Sequence, residues 1–410
     1  MTFFGGVISI TGITFLMFSV MAIAAVGYAL GRITIKGVSL GTAGVFIVAI
    51  LFGCLFYDKL GAQTAGYTKN ALKIVENLGL ILFVTSVGFI AGPKFFGNLK
   101  KNFKSYILLG LIIIFVGGLA AVGCLYIGRA IGTEDSKDLT AMITGLLAGA
   151  LTSTPAFSAA KGSVDAAYED TVSVGYGIAY IFGVIGVVLF VQVLPKLLKA
   201  NMEVERAKLT VVDENTKPRK ESKHRLIDMD SFGIMPFACA TLVGILVGMI
   251  KIPLTSAGLS GTCFSLTTTG GCLLTALVFG HFGRVGRVNV MPSASTLRVF
   301  REFGLMLFLI GAGVSAGASF IAKFQPIYFL YGVVMTLLPM IVGFIFAKYV
   351  LKMHLLNILG SITGGMTSTP ALGTLINIAG TEDVASAYAA TYPIALIAVV
   401  LVSQFLIILF

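Results

Sequence analysis

The sequence predicts an all-α polytopic membrane protein built as two inverted repeats, each with five transmembrane helices and one re-entrant hairpin. Three observations predict it. The 410 residues are 57% hydrophobic and only 11% charged, whereas a soluble domain carries roughly 25% charged residues, so there are too few charges to cover a water-facing surface. The apolar runs are as long as a bilayer-spanning helix of ~20 residues, and six of them lie on each side of one polar stretch. Finally, one polar pentapeptide, TSTPA, stands at 152–156 and again at 367–371, each time inside the fifth run of its half.

In order, the runs fall near 9–31, 40–57, 71–92, 104–129, 139–161 and 171–198, then 232–250, 259–281, 296–322, 326–350, 355–379 and 384–409. The first has no basic residue ahead of it and exceeds the ~7–15-residue core of a signal peptide, so it is expected to stay as a span. The two fifth runs, 139–161 and 355–379, are expected to dip into the membrane and return to the same side. This divides the chain into a first repeat at 1–198, a linker at 199–230 and a second, inverted repeat at 231–410. The linker mixes both charge signs with few large apolar residues, and is too short and polar for a domain of its own.

Charge supports that division. With the N-terminus outside, 21 of the 29 Lys and Arg residues fall in cytoplasmic breaks and 8 outside, the bias that orients membrane proteins. If both fifth runs crossed fully, the segregation would fail beyond the first of them. The basic residues form no folded patch, so the net charge of +11 does not point to nucleic acid. The repeat also shows in letters: "LKIVENLGLILFVTSVGFIAGPKFF" (72–96) aligns without gaps on "LRVFREFGLMLFLIGAGVSAGASFI" (297–321), with nine identities that include Gly79/Gly304 and Gly88/Gly313. Inverted repeats interrupted at matching places point to a secondary transporter.

The pentapeptide supplies the chemistry. Thr154 and Thr369 suit a helix N-cap, and Pro155 and Pro370 suit the first helical position, where a missing N–H is tolerated. Each copy is therefore expected to start a half-helix in mid-membrane. Gly145, Gly149, Gly360, Gly364 and Gly365 just upstream allow close backbone approach. A half-helix start presents free N–H groups and about half a positive charge, tolerated in lipid only where it lines a cavity. Two such starts, flanked by Thr152, Ser153 and Thr154 and by Thr367, Ser368 and Thr369, with Ala156 and Ala371 in the first turns, are expected to hold the carboxylate of a small substrate. The competing reading is that each Ser/Thr-Pro only kinks a helix.

Other residues carry narrower expectations. Lys161 either neutralises a substrate carboxylate or runs its ammonium to the membrane surface. Tyr176, Tyr180 and Tyr392 are expected to line the cavity. Arg298, Arg301 and Glu302, and their counterparts Lys73, Glu76 and Asn77, read as interfacial anchors. Gln404 is expected to hydrogen-bond a neighbouring helix. No buried acidic pair is expected in the apolar segments. The five cysteines read as small core residues, and His224, His281 and His354 are scattered, so neither a metal site, a catalytic group nor a cofactor is expected. The phosphate-cradling motif GxxxxGK[ST] does not occur, which excludes ATP as the energy source in this chain.

The paired "GLLAGALTSTPA" and "GSITGGMTSTPA", with "GFIAGPKFF" and "GYALGRITIKGVSLG", resemble the aspartate–alanine exchanger family of bacterial antiporters over both membrane halves. The resemblance implies an inner-membrane carrier that swaps carboxylate-bearing metabolites such as aspartate, alanine, glutamate or succinate, with both termini outside and the linker cytoplasmic. Many members of that family carry regulatory soluble domains between the halves; here only the short linker stands there. An elevator motion is expected, with the hairpins and their neighbours sliding past a scaffold made of the first two helices of each half. Such scaffolds commonly dimerise, so a homodimer is expected. A uniporter or cation-coupled symporter of the same fold, or an anion channel, are the alternatives.

Overall fold

The computed structural model describes the chain except residues 1, 4–7, 36–37, 40–41, 65–67, 102, 133–135, 210–226, 254–262 and 382. Its first half contains α1 (Gly12–Gly31), α2 (Ala43–Thr64), α3 (Thr68–Lys101), α4 (Leu108–Ile131), α5 (Ser136–Ala150), α6 (Thr154–Ser163) and α7 (Glu169–Leu197). A short α8 (Met202–Ala207) begins the linker. The second half contains α9 (Ile234–Gly248), α10 (Thr267–Phe282), α11 (Ala294–Lys323), α12 (Pro326–Ile345), α13 (Leu355–Gly365), α14 (Thr369–Ala379) and α15 (Val384–Leu409). The protein is thus an all-α polytopic membrane protein.

Among the described residues, eight helices are long and apolar enough to cross a membrane: α1, α2, α3, α4, α7, α11, α12 and α15. Ten crossings are expected from the sequence. The remaining two correspond to α9 and α10, with 15 and 16 residues. At 1.5 Å per residue each is roughly 23 Å long, short of a hydrocarbon core about 30 Å thick. The chain between them instead forms a small antiparallel ladder, Ile252–Pro253 on Cys263–Phe264, which satisfies backbone groups that a longer helix would satisfy internally.

Small residues set the helix packing. A Cβ on Gly79 would lie 2.6 Å from the Gly304 carbonyl oxygen, and a Cβ on Gly304 would lie 2.6 Å from that of Gly79. These are the same two glycines that match in the aligned segments, and their bare backbones bring α3 and α11 into contact. Through such contacts the helices sort into two groups. In one, α1, α2, α3, α9, α10 and α11 pack together; in the other, α4 to α7 and α12 to α15 do. The first group therefore takes three helices from each half, rather than the two expected, because α3 and α11 pack on each other and on α10 and α2.

In the second group the order of contacts is informative. Gly145 sits against Val172 and Gly149 against Tyr176, so residue numbers rise together along α5 and α7. Gly360 against Val384 and Gly364 against Tyr388 give the same parallel relation between α13 and α15. At the end of the linker, the Asp230 carboxylate accepts the N–H groups of Phe232, Ile234 and Met235 at 2.8–3.0 Å and so caps α9. The Met235 and Ile234 N–H groups hold that carboxyl below its ordinary pKa.

Candidate functional site at the paired helix breaks

The two TSTPA segments form the same broken helix twice. After α5 the Thr152 N–H donates to the Gly149 carbonyl at 2.9 Å and the Ser153 N–H to that of Ala148 at 2.9 Å. After α13 the Thr367 N–H donates to the Gly364 carbonyl at 3.1 Å and the Ser368 N–H to that of Thr363 at 3.0 Å. This bond pattern ends a helix with one left-handed residue, usually glycine. Here the left-handed residues are Thr152 (φ 52°) and Thr367 (φ 50°), and a β-branched residue in that region is strained by about 1–3 kcal/mol.

The hydroxyls offset that strain. Thr152 Oγ1 donates to the Met366 carbonyl at 2.9 Å, and Thr367 Oγ1 donates to the Leu151 carbonyl at 2.8 Å. Each break thus satisfies a carbonyl that the other leaves open, and both threonines are buried. The sequence motif therefore places the two segments in direct reciprocal contact.

The helix starts fall one residue earlier than the sequence suggests. Ser153 (φ −99°, ψ 97°) and Ser368 (φ −95°, ψ 94°) are the N-caps, and α6 and α14 begin at Thr154 and Thr369. Their backbones are extended, as a cap requires, so Pro155 and Pro370 become the second helical residues. Ser153 Oγ accepts the Ala156 N–H at 3.3 Å. Ser368 Oγ is fully buried and has no hydrogen-bond partner among the described residues. Freed from capping, Thr154 Oγ1 lies 3.3 Å from the Tyr176 hydroxyl. Ala156 and Ala371 are fully buried in the first turns; Pro155 is buried and Pro370 half-buried. The side chain of Thr369 lies outside the described residues.

Tyr176 lies against the first break. Its ring stacks on Phe157 of α6 at 4.1 Å between centroids and 9° between planes, and on Tyr180 at 4.8 Å. Tyr392 stays apart from that set: it is half-buried and stacks on Tyr388 at 5.1 Å. Gln404 does not bond to a helix as expected: its Nε2 donates at 3.1 Å to the carbonyl of Ser265, in the chain just ahead of α10. Arg301 and Glu302 pair with each other at 2.7 Å, both partly exposed.

Of the two readings of Lys161, the run to the surface is ruled out, and the reading of Glu76 as an interfacial anchor is overturned. Lys161 Nζ lies 2.6 Å from Glu76 Oε1, with the two side chains only 7% and 10% exposed, so a buried acid does stand within an apolar segment. The sequence carries a signal for it. Leu72, Glu76, Gly79, Leu80 and Phe83 are all buried and recur at the spacing of one helical face; Glu76 is the acid on that otherwise apolar stripe.

A cavity of about 440 Å³ lies elsewhere, at the start of α5, lined by Asp138, Met142, Tyr168, Lys323, Gln325 and Tyr328 among others. Asp138 precedes Thr152 by fourteen residues, roughly 20 Å of helix, so that cavity is not the break site. Among the described residues no group of three or more His, Cys, Asp or Glu is placed to hold a metal ion.

Comparison with known proteins places this architecture. An uncharacterized transporter of Bacteroides thetaiotaomicron is 27% identical, the alignment covering 94% of this chain and 97% of the relative. A Bacteroides fragilis transporter is likewise 27% identical over 94% and 97%. One of Desulfotalea psychrophila is 24% identical over 95% and 96%. The Bacteroides thetaiotaomicron alignment runs over 543 positions, more than this chain possesses, so that relative has residues with no counterpart here. The Asp-Al_Ex family model, described as a predicted permease membrane region, matches residues 19–196 and 236–408, leaving out the linker between the halves. The chain belongs to this family of membrane permeases.

Proposed function

We propose that the protein is a secondary active transporter that exchanges small carboxylates or amino acids, of the aspartate, alanine, glutamate and succinate class, by alternating access. The observation that carries this reading is the meeting of two helix starts, α6 and α14, at reciprocally bonded breaks inside an apolar chain. Free N–H groups at helix starts favour an anion, and Ser368 Oγ, without a partner among the described residues, adds a donor. The parallel runs of α5 with α7 and of α13 with α15 support reading 139–161 and 355–379 as re-entrant hairpins. On that reading 1–198 and 231–410 are inverted repeats, and 199–230 is a cytoplasmic linker.

The two helix groups support an elevator motion, in which the group with the hairpins slides along the group containing α3 and α11. Termini outside a bacterial inner membrane and a homodimer assembled through the α3–α11 group complete the reading. The test is counterflow in proteoliposomes loaded with unlabelled aspartate, alanine, glutamate or succinate, offering each labelled compound outside. Uptake that requires internal substrate and falls at least tenfold in Thr154→Ala and Ser368→Ala is expected. Uptake into empty wild-type vesicles would replace exchange by uniport or symport, and unitary currents would replace it by a channel.

A further inference from the structure

Among the described residues, three ion pairs join the two helix groups: Lys73–Glu169 at 2.8 Å, Lys161–Glu76 at 2.6 Å and Lys323–Asp138 at 2.6 Å. All lie near the starts of α3, α5 and α7 and the ends of α6 and α11. Two are partly exposed, with side chains 22–47% and 24–29% accessible, and water screens such pairs. The third is buried. It ties α6 of the hairpin group to α3 of the other, beside a second tie, Ser158 Oγ to Thr269 Oγ1 at 2.8 Å. Gly311 makes room for Glu76, since a Cβ there would lie 2.7 Å from the Glu76 Cβ.

Lys161 is also within reach of the helix break. Helical side chains lean toward the N-terminus of their helix, and here that direction leads to the break. The ammonium already stands 5.9 Å from the Phe157 ring centroid. Phe157 stacks on Tyr176, and Tyr176 reaches Thr154. Two stacked rings, Phe157 and Tyr176, therefore link the buried cation to Thr154 at the start of α6. The matching position of the second hairpin is Ile376, so the charge occurs once.

A buried ammonium needs an anion beside it. Glu76 supplies that anion in this structure. We propose that a substrate carboxylate takes the place of Glu76 as the partner of Lys161, and that this swap releases the hairpin group from α3. The inference rests on the exchanger reading above and adds the rule by which exchange is enforced. An empty hairpin parts from Glu76 only by leaving two buried charges unpaired, which slows the empty return roughly a hundredfold or more. A bound carboxylate removes the Lys161 half of that barrier, and a substrate ammonium facing Glu76 removes the other half. Once freed, Glu76 faces the substrate: it attracts an ammonium and repels a second carboxylate, so it also sets the preference between amino acids and dicarboxylates.

The experiment compares the wild-type chain, Glu76→Gln, Lys161→Met and the swap Glu76→Lys/Lys161→Glu in proteoliposomes, using labelled aspartate and succinate. Uptake into substrate-free vesicles and the KM for each compound are the readouts, with a melting curve for each purified variant. Glu76→Gln is expected to take up aspartate into substrate-free vesicles, and its succinate KM should fall at least tenfold relative to its aspartate KM. Lys161→Met should raise both KM values more than tenfold. The swap restores a pair in place and should melt like the wild type, yet exchange neither compound. A pair that only holds helices together predicts the reverse: Glu76→Gln still dependent on internal substrate with an unchanged KM ratio, and a swap that exchanges normally. Either of those results overturns the inference, and the swap alone decides it where Glu76→Gln does not fold. Wild-type uptake that needs no internal substrate would instead overturn the exchanger reading beneath it.

Discussion

The α5–α6 segment is buried without interruption from Leu139 to Lys161, whereas α14 leaves Gly373 and Asn377 exposed. The two segments share their break geometry to within 2° in the left-handed threonine, but not their surroundings. Where α6 has Ser158 bonded to Thr269 of α10, α14 has Gly373, beside which a Cβ would meet nothing within 4 Å. Where α6 has Lys161 paired with Glu76, α14 has the half-buried Ile376. The break itself is thus encoded in the pentapeptide, and the attachment of each hairpin to the other helix group is encoded outside it. The α5–α6 segment is fastened by polar contacts, and α14 has open space beside Gly373.

The sharpest way to break this comparison is at the glycines. A Cβ on Gly145 would lie 2.2 Å from the Val172 carbonyl oxygen, and one on Gly360 would lie 2.7 Å from that of Val384. Both are overpacked, which typically costs about 1–3 kcal/mol, and the closer approach at Gly145 demands the larger backbone shift. Gly145→Ala is therefore expected to lower the melting temperature of the purified protein more than Gly360→Ala. Equal drops would mean the two hairpins are seated equally tightly.

The threonines test what the segments share. Thr152→Val and Thr367→Val each remove one hydroxyl and leave one buried carbonyl unpaired, a loss of about 1–3 kcal/mol. Because the two bonds are reciprocal, the losses should match. The glycine variants at the same positions should be milder, since glycine relieves the left-handed strain that valine retains. Matched valine losses with milder glycine losses are the expected pattern in thermal melts. Unequal valine losses would show that one bond carries the contact.

Much of this was legible in the letters because the physics is local. Apolar runs near 20 residues give spans, and serine or threonine ahead of proline gives a helix start. The pairing of the pentapeptides was legible only because the motif is repeated. What the letters hid is of two kinds. The cap fell on Ser153 and Ser368 rather than on the adjacent threonines because the choice among neighbouring hydroxyls depends on the left-handed turn before them. The Lys161–Glu76 pair was hidden because its partners are 85 residues apart and each alone resembles a residue at a membrane interface. Only the placement of Glu76 on the buried face of α3 betrays it.

The finest test separates holding the fold from holding the substrate, using the two capping serines. Ser153 Oγ accepts a backbone N–H, so Ser153→Ala removes a working cap and should cost about 1 kcal/mol of stability. Ser368 Oγ accepts nothing from α14 and has no partner among the described residues. Ser368→Ala therefore removes no bond on which the fold depends, and relieves a buried hydroxyl of its missing partner, so melting should be unchanged or slightly raised. On the proposed exchanger reading its exchange activity should nevertheless fall, because that reading gives the Ser368 hydroxyl to the substrate carboxylate. A Ser368→Ala variant that keeps both its melting temperature and its exchange rate would leave the α14 start without a role in binding, and would assign the substrate to the Lys161 side of the paired breaks.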